Sequence, residues 1–287
     1  MWKPGRYAYR MIVRMVLLTL ALVSSVAAQT HPDWTTNHVP YRIAGNLYYV
    51  GSKDLAAYLI VTPAGDILIN SNLRSSVPQI RQNVEALGFH FPDVKILLIS
   101  HAHFDHAAGS AEILRLTHAK YEVMQGDAAV VESGGQPDFS NGGLSTFAPA
   151  KVDRVLHDGD EVRLGGTVLV AHLTPGHTKG CTTWTMKVNE GGKSYNVVMV
   201  GSTSILDAYR LRGDPKYPNM AADYAHTFRV LRALPCDIFL GAHGSYYGME
   251  AKYARMKAGD AGAFVDPEGY KKFVDEQERV YQAKLAR

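Results

Sequence analysis

Short apolar runs separated by turn residues follow one another along the chain from residue 46 onward. Runs rich in Val, Ile, Leu and Tyr predict β-strands, and the nearly continuous apolar run 94–100 is typical of a strand buried on both faces. A helix is predicted over 77–87, because Ile80, Val84 and Leu87 fall on one helical face and a glycine follows. The other predicted strands are 46–50, 57–61, 66–70, 121–124, 162–164, 167–173, 182–188, 197–201 and 237–241.

Further helices are predicted over 109–117 and 220–234, and in two stretches near the C-terminus. Strands that alternate with single helices, without an internal repeat or a linker, predict one layered α/β domain. The segment 133–149 is rich in Gly, Ser and Pro, and a loop of this length is usually disordered or functional. We hypothesise that this loop, with Phe139 and Phe147, covers a neighbouring pocket.

The N-terminal segment is predicted to be a secretory signal peptide over residues 1–28. A basic start leads into the apolar run Met15–Val23, and the small residues of Ser24–Ala28 fit a cleavage site. A membrane anchor is the competing interpretation, but the apolar run is shorter than the roughly 20 residues that a spanning helix needs. We therefore expect a mature domain over 29–287 that is exported, and is periplasmic if the host is a Gram-negative bacterium.

Composition narrows the class of protein further. The chain is 46% hydrophobic and 20% charged, as in a folded globular protein. Its net charge is +3, but four basic residues lie within residues 1–28, so the body is nearly neutral, which argues against a nucleic-acid partner. The two cysteines exclude a disulfide-dense scaffold. Export would permit a bridge between Cys181 and Cys236, but we expect two free, buried thiols.

The strongest chemical signal is the segment Ser100-His-Ala-His-Phe-Asp-His, directly after the buried strand. His101 and His103 alternate, so in an extended chain they project to the same side. Asp105 and His106 fall on the turn that follows. Imidazole and carboxylate donors suit zinc or a similar metal. Four donors this close divide most easily between two ions, roughly 3.5–4 Å apart in two-metal hydrolases.

Two further histidines stand at strand ends. His177 lies in a tight turn within Thr174-Pro-Gly-His-Thr-Lys-Gly, and His243 lies among small residues within Leu240-Gly-Ala-His-Gly. They bring the candidate set to five histidines and one aspartate. The other histidines lie in no comparable setting, and we expect structural roles for them.

These motifs together resemble the metallo-β-lactamase superfamily, from about residue 40 to the C-terminus. The resemblance implies an α/β fold, the four-layer αββα sandwich, with the metals at one edge of its two sheets. It also implies two Zn²⁺ per chain. The first ion would be held by His101, His103 and His177, and the second by Asp105, His106 and His243.

The subclass is indicated by Val200-Gly-Ser-Thr-Ser, where Ser202 stands in place of the bridging aspartate or ligand cysteine of other subclasses. Serine here, with Asp105-His106, resembles subclass B3, in which Ser202 and Ser204 would hold the carboxylate of the antibiotic. The stretch Ala233-Leu-Pro-Cys-Asp-Ile is similar to that subclass as well. Some members pair this cysteine with one near the C-terminus, but no cysteine follows Cys236 here.

The resemblance implies a zinc-dependent β-lactamase that hydrolyses penicillins, cephalosporins and carbapenems and confers antibiotic resistance. Zinc lowers the pKa of a bound water to roughly 7, so we expect attack by a metal-bound hydroxide, with no covalent intermediate. Asp105 would be both a metal ligand and the catalytic residue that orients the nucleophile. We expect a monomer that acts on a small-molecule β-lactam, without a nucleic-acid partner or, after signal cleavage, a membrane partner.

Two other functions stay open at this point. An exported lactonase or thioesterase of the same fold is the main alternative, although Ser202 stands where many of those enzymes carry a bridging aspartate. A zinc-binding or adaptor protein without catalytic activity is the second, and six intact donors argue against it.

Overall fold

The computed structural model describes residues 31–136, 138–140 and 146–287, and its strands form two sheets. The first sheet contains, in chain order, β1 (Tyr41–Ala44), β2 (Leu47–Tyr49), β3 (Tyr58–Thr62), β4 (Gly65–Ile69), β5 (Val94–Leu98), β6 (Lys120–Met124) and β7 (Arg154–Leu156). The second contains β8 (Glu161–Leu164), β9 (Thr167–Leu173), β10 (Thr182–Glu190), β11 (Lys193–Val200) and β12 (Ile238–Gly241), again side by side in this order. Pairing is antiparallel from β1 to β4 and from β8 to β11, and parallel from β4 to β7 and from β11 to β12.

Helices cover the outer faces of both sheets. The first sheet alternates its side chains between two cores: Ile60 and Leu98 face the second sheet, whereas Leu59 and Leu97 face the helices. Burial on both faces explains why β3 and β5 read as continuous apolar runs. The helices are α1 (Val77–Ala86), α2 (Phe104–Ala107), α3 (Ser110–Thr117), α4 (Gln125–Glu132), α5 (Met220–Ala233), α6 (Met249–Lys257) and α7 (Pro267–Leu285).

The far side of the second sheet is covered by the C-terminal helices. Phe228 of α5 and Tyr270 and Tyr281 of α7 belong to the same buried cluster as Phe239 of β12. The rings of Phe239 and Tyr270 lie 5.3 Å apart between their centroids. The order of layers is therefore helix, sheet, sheet, helix, which confirms the predicted fold class.

The two sheets are joined by hydrogen bonds at the edge where β5 ends. Thr182 donates its backbone N–H to the carbonyl of Ser100 at 2.8 Å. The indole Nε1 of the fully buried Trp184 donates to the carbonyl of Ile99 at 3.0 Å. These bonds hold the segment that leads into His101 against the second sheet.

The predicted helices and most predicted strands are confirmed, with small shifts at their ends. Four of the labelled elements were not predicted, namely β1, β7, α4 and the single-turn helix α2, where only a turn was expected. No helix among the described residues is both long and apolar enough to cross a membrane. The predicted signal peptide, residues 1–28, lies outside the described residues, as do residues 137 and 141–145 of the predicted loop.

Candidate metal centre

The first four donors lie where β5 ends and a single helical turn begins. His101 lies three residues after the end of β5, and His103 is the N-cap residue of α2, with extended dihedrals. Asp105 and His106 lie within that turn, and the backbone N–H of His106 donates to the carbonyl of His103 at 3.0 Å. All four side chains are buried. A strand followed at once by a tight turn thus folds four sequence neighbours into one cluster.

The other two donors arrive from the second sheet. His177 follows β9 in the Pro-Gly turn, and His243 follows β12. His243 forms an isolated antiparallel bridge with Leu55, and the backbone N–H of Ala56 donates to the carbonyl of Ala242 at 3.0 Å. Main-chain pairing with the first sheet therefore fixes the loop that holds His243.

The six donors converge as two groups. His101, His103 and His177 each offer a ligand atom within 4.8 Å of the others, and so do His101, Asp105 and His106. The Nδ1 atom of His103 lies 3.0 Å from Nε2 of His177. His101 thus takes part in both groupings.

His243 completes the second group. Its Nε2 lies 3.1 Å from Nε2 of His106 and 3.7 Å from Oδ2 of Asp105. His106 Nε2 and Asp105 Oδ2 are 3.3 Å apart. These pairwise distances make Asp105, His106 and His243 a tight three-donor cluster beside the first.

The outward nitrogens of four histidines meet hydrogen-bond acceptors. His177 Nδ1 lies 2.8 Å from the carbonyl of Ser204. His243 Nδ1 lies 2.9 Å from Oδ2 of Asp54. His101 Nδ1 lies 3.1 Å from the Ser100 hydroxyl, and His103 Nε2 lies 3.3 Å from the Ser140 hydroxyl. A neutral imidazole that donates outward leaves its inward nitrogen unprotonated. Two unprotonated nitrogens at this distance repel each other, and a metal cation bound to both would remove that repulsion.

The titration behaviour of the cluster favours the same conclusion. Burial, followed by the neighbouring histidines, lowers the pKa of His101 and His177 well below the ordinary value, and burial lowers that of His106. Burial alone would raise the pKa of Asp105, but the interactions of its carboxylate with His106 and His243 hold it well below its usual range. Neutral imidazoles and an ionised carboxylate are the forms that bind metal, so the donor set fits zinc.

A cavity of about 480 Å³ opens over these donors and is lined by four of them. Trp34 and Phe104 form an aromatic wall, with ring centroids 6.1 Å apart, and the Trp34 ring lies 5.8 Å from that of His243. The described lining includes the carboxylates of Asp33, Asp54 and Asp105 but no lysine or arginine. A cavity of this volume accommodates a small molecule, and its carboxylates favour cations, although Asp33 is paired with Lys53 at 3.2 Å.

Asp54 connects the aromatic wall to the second group of donors. Its Oδ2 accepts from His243 Nδ1 at 2.9 Å and from Trp34 Nε1 at 3.2 Å, and its Oδ1 accepts from the backbone of Ser245 at 2.9 Å. Burial alone would raise the pKa of Asp54, but the hydrogen bond and charge of His243 outweigh it and the pKa lies well below its usual range. Asp54 was not predicted, because no motif marks it in the sequence.

The two predicted substrate-binding serines occupy different depths. Ser204 lines the cavity, whereas Ser202 is almost fully buried behind it. The hydroxyl of Tyr246 lies 3.1 Å from that of Ser202 and 3.2 Å from that of Ser204. Tyr246, which the sequence analysis missed, therefore links the two serines and itself lines the cavity.

The long loop reaches the site through polar rather than aromatic residues. Ser140 and Asp138 approach Nε2 of His103, at 3.3 Å and 3.6 Å. Phe139 packs instead against the rings of Tyr209 and Tyr217, and Phe147 packs in the core between the first sheet and its helices. Neither phenylalanine lines the cavity, so the hypothesis is wrong for these two side chains, although Asp138 and Ser140 bring the described part of the loop to His103.

Two other predictions concern residues near the site. Cys181 and Cys236, both within the described chain, are free, as predicted, but only Cys181 is buried, and Cys236 is half-buried. Burial raises the pKa of the Cys181 thiol far above its usual range, and Cys181 belongs to neither group of converging metal donors. His31, which we expected to have only a structural role, lines the outer part of the cavity.

Comparisons with known proteins agree with this geometry. The profile of the metallo-β-lactamase superfamily matches residues 55–190. The solved FEZ-1 metallo-β-lactamase from Legionella gormanii is 52% identical, with a TM-score of 0.86, over 87% of this chain and 96% of that one. The class B3 di-zinc metallo-β-lactamase LRA-12 from an Alaskan soil metagenome is 38% identical, with a TM-score of 0.85, over 89% and 97%.

Two further relatives are similar to lesser degrees. BJP-1, a subclass B3 metallo-β-lactamase of Bradyrhizobium japonicum, is 36% identical, with a TM-score of 0.83, over 89% of this chain and 96% of that one. A probable metallo-hydrolase of Burkholderia pseudomallei is 30% identical over 110 residues, which are 38% of this chain and only 36% of that protein.

Proposed function

Because the chain belongs to the metallo-β-lactamase superfamily, we propose that it is a zinc-dependent β-lactamase. It hydrolyses the amide bond of penicillins, cephalosporins and carbapenems and thereby confers antibiotic resistance. The observation that carries the proposal is the pair of imidazole contacts, His103 with His177 and His106 with His243, each with two nitrogens at about 3 Å in one cavity. The solved relatives named as class B3 metallo-β-lactamases support the choice of substrate.

Two zinc ions per chain fit the two groups of donors. His101, His103 and His177 would hold the first ion, and Asp105, His106 and His243 the second. When bound, the pair supplies Lewis acidity toward the amide carbonyl and an activated water as the nucleophile. Hydrolysis by water requires no covalent enzyme intermediate. The free carboxylate oxygen of Asp105 is the group within this set that can orient the attacking water.

The cavity walls account for binding of a small bicyclic acid. The Trp34–Phe104 wall offers an apolar surface for the ring system of the antibiotic. The hydroxyls of Ser204 and Tyr246 can donate to the substrate carboxylate, and Ser202 holds the Tyr246 hydroxyl from behind. Because lysine and arginine are absent from the described lining, the metal ions would provide the positive charge that attracts this carboxylate.

The proposed biological setting is export to the periplasm as a monomer. The basic, apolar and small-residue sequence of residues 1–28 supports removal of a signal peptide, which leaves a domain over 29–287. This setting would bring the enzyme to β-lactams as they cross the envelope.

Metal removal and restoration test the proposed reaction. Dialysis against a chelator should abolish hydrolysis of nitrocefin, benzylpenicillin and a carbapenem, and stoichiometric zinc should restore it. His106→Ala should lose most turnover, whereas His157→Ala, a change at an exposed histidine away from the cavity, should keep it. Persistent hydrolysis by protein shown to be metal-free would contradict the mechanism. Hydrolysis of a homoserine lactone or a thioester without hydrolysis of nitrocefin would favour the alternative enzyme class.

A further inference from the structure

A buried carboxylate outside the donor set connects the two loops that carry the first group of histidines. Oδ2 of Asp127 accepts from the backbone N–H of Ala102 at 2.8 Å and from the Thr178 hydroxyl at 2.8 Å. Its Oδ1 accepts from the backbone N–H of Gly180 at 2.9 Å. Ala102 lies between His101 and His103, and Thr178 and Gly180 lie within the three residues after His177.

The backbone around this carboxylate is packed closely enough to need glycine. A Cβ atom on Gly180 would lie 2.4 Å from the backbone nitrogen of Asp127 and 2.7 Å from its Cβ. A Cβ atom on Gly126 would lie 2.4 Å from the carbonyl carbon and oxygen of Lys179. The start of α4 is therefore pressed directly against the loop after His177, and the contact leaves no room for the loop to shift.

Asp127 is also placed at a cost in electrostatic free energy. It is fully buried, and none of the salt bridges among the described residues involves it. Burial raises its pKa to about 6, although the hydrogen bonds from Thr178, Ala102 and Gly180 lower it. A buried carboxylate that satisfies three donors and pairs with no cation is a specific positioning device rather than general packing.

We propose that Asp127 is a positioning residue that sets the distance between the His101–His103 segment and the His177 loop, and so sets the affinity of the first metal site. This inference rests on the metal centre proposed above. Asp127 is not a metal ligand. Its oxygens accept hydrogen bonds from Ala102, Thr178 and Gly180, and it belongs to neither group of converging metal donors.

Asp127→Asn is the informative change. The amide keeps the size of the side chain, but its NH₂ group must face at least one backbone N–H, so one donor loses its acceptor. Changes to residues that orient metal ligands typically weaken binding about 10- to 100-fold, and we expect a loss of about tenfold or more for the first zinc. The second zinc, held through Asp105, His106 and His243, should bind as in the unaltered chain.

Thr178→Val is a milder second variant, since it removes one donor and leaves the carboxylate in place. The loss of a single hydrogen bond predicts a roughly 2- to 10-fold weaker first site. Asp66→Asn is the matched control. Asp66 is another buried carboxylate whose pKa burial raises to about 6, but it pairs with Val94 at the opposite end of the sheet.

The assay is competition for zinc against a chromophoric chelator, together with the visible spectrum of the Co²⁺-loaded protein. Both readouts are independent of β-lactam turnover, so they remain decisive if the chain proves inactive toward β-lactams. Weaker first-site binding and an altered Co²⁺ spectrum in Asp127→Asn, with an unchanged control, support the assignment. Unchanged affinity in a folded Asp127→Asn protein, or a chain that binds no zinc, overturns it. If Asp127→Asn does not fold, Thr178→Val decides alone, and unchanged affinity there overturns the assignment.

Discussion

Replacement of Asp54 by alanine should weaken the second metal site while leaving the first intact. Asp54 accepts a hydrogen bond from His243 Nδ1 at 2.9 Å and touches no other candidate ligand. A hydrogen bond to a charged group contributes about 1.5–3 kcal/mol. Because the Asp54 side chain is partly open to solvent, at 16% exposure, water can replace some of it, and about 1.5–2 kcal/mol should be lost. At 1.4 kcal/mol per tenfold change, the second zinc should bind roughly 10- to 30-fold more weakly.

The measurement is a zinc titration of Asp54→Ala, followed by turnover at limiting and at excess zinc. Excess zinc should restore most of the activity, because the variant changes occupancy rather than the donors themselves. The second-site zinc affinity of Asp54→Asn should lie between those of Asp54→Ala and the unaltered chain, since the amide oxygen can still accept from His243 but carries no charge. Asp33→Ala is the control: it removes a carboxylate from the same cavity without touching a histidine ligand. Equal second-site affinity in Asp54→Ala and the unaltered chain would refute the reasoning.

Two further predictions concern the stability of the fold. Trp184→Phe removes the hydrogen bond to the buried carbonyl of Ile99 and part of a fully buried ring. Denaturant titration should therefore show a free energy of unfolding lower by about 2–4 kcal/mol. A decrease below about 1 kcal/mol would be inconsistent with this contact. Burial raises the pKa of Asp66 to about 6 in the folded state, above its value in the unfolded chain. The ionised carboxylate therefore destabilises the fold above pH 6, and this destabilisation disappears as the pH falls from about 6 to 4. Asp66→Asn should therefore be more stable than the parent by about 1–2 kcal/mol at pH 8, with the difference shrinking toward pH 4, and a constant difference across this range would argue against it.

Sequence patterns predicted the fold where local residues determine the structure. Strands β3, β5 and β12 are apolar because both of their faces are buried, so the apolar run alone is enough to predict each strand. In contrast, β7 exposes two of its three residues, and it is a strand only because it pairs with β6. Strand β1 was missed because it has only four residues, and the exposed Arg42 interrupts its apolar pattern.

The candidate donors were recognisable because metal chemistry restricts both residue type and spacing. His101, His103, Asp105 and His106 stand within one short segment, and the structure brings them together with His177 and His243. The acids that support them have no such signal. Asp127 contacts a backbone 25 residues away, and Asp54 contacts His243 across 189 residues. Contacts of this range depend on the packing of whole layers, which residue spacing does not encode.

Each group of donors draws on both sheets, since His177 and His243 come from the second sheet and their partners from the first. The bound ions would consequently cross-link the two sheets. Ligand binding to the native state raises the free energy of unfolding in proportion to the logarithm of the free ligand concentration. Scarcity of zinc would therefore lower the stability of the fold as well as the proposed activity. The apoprotein would then be the form most readily cleared by proteases, which links the lifetime of the molecule to the supply of its metal.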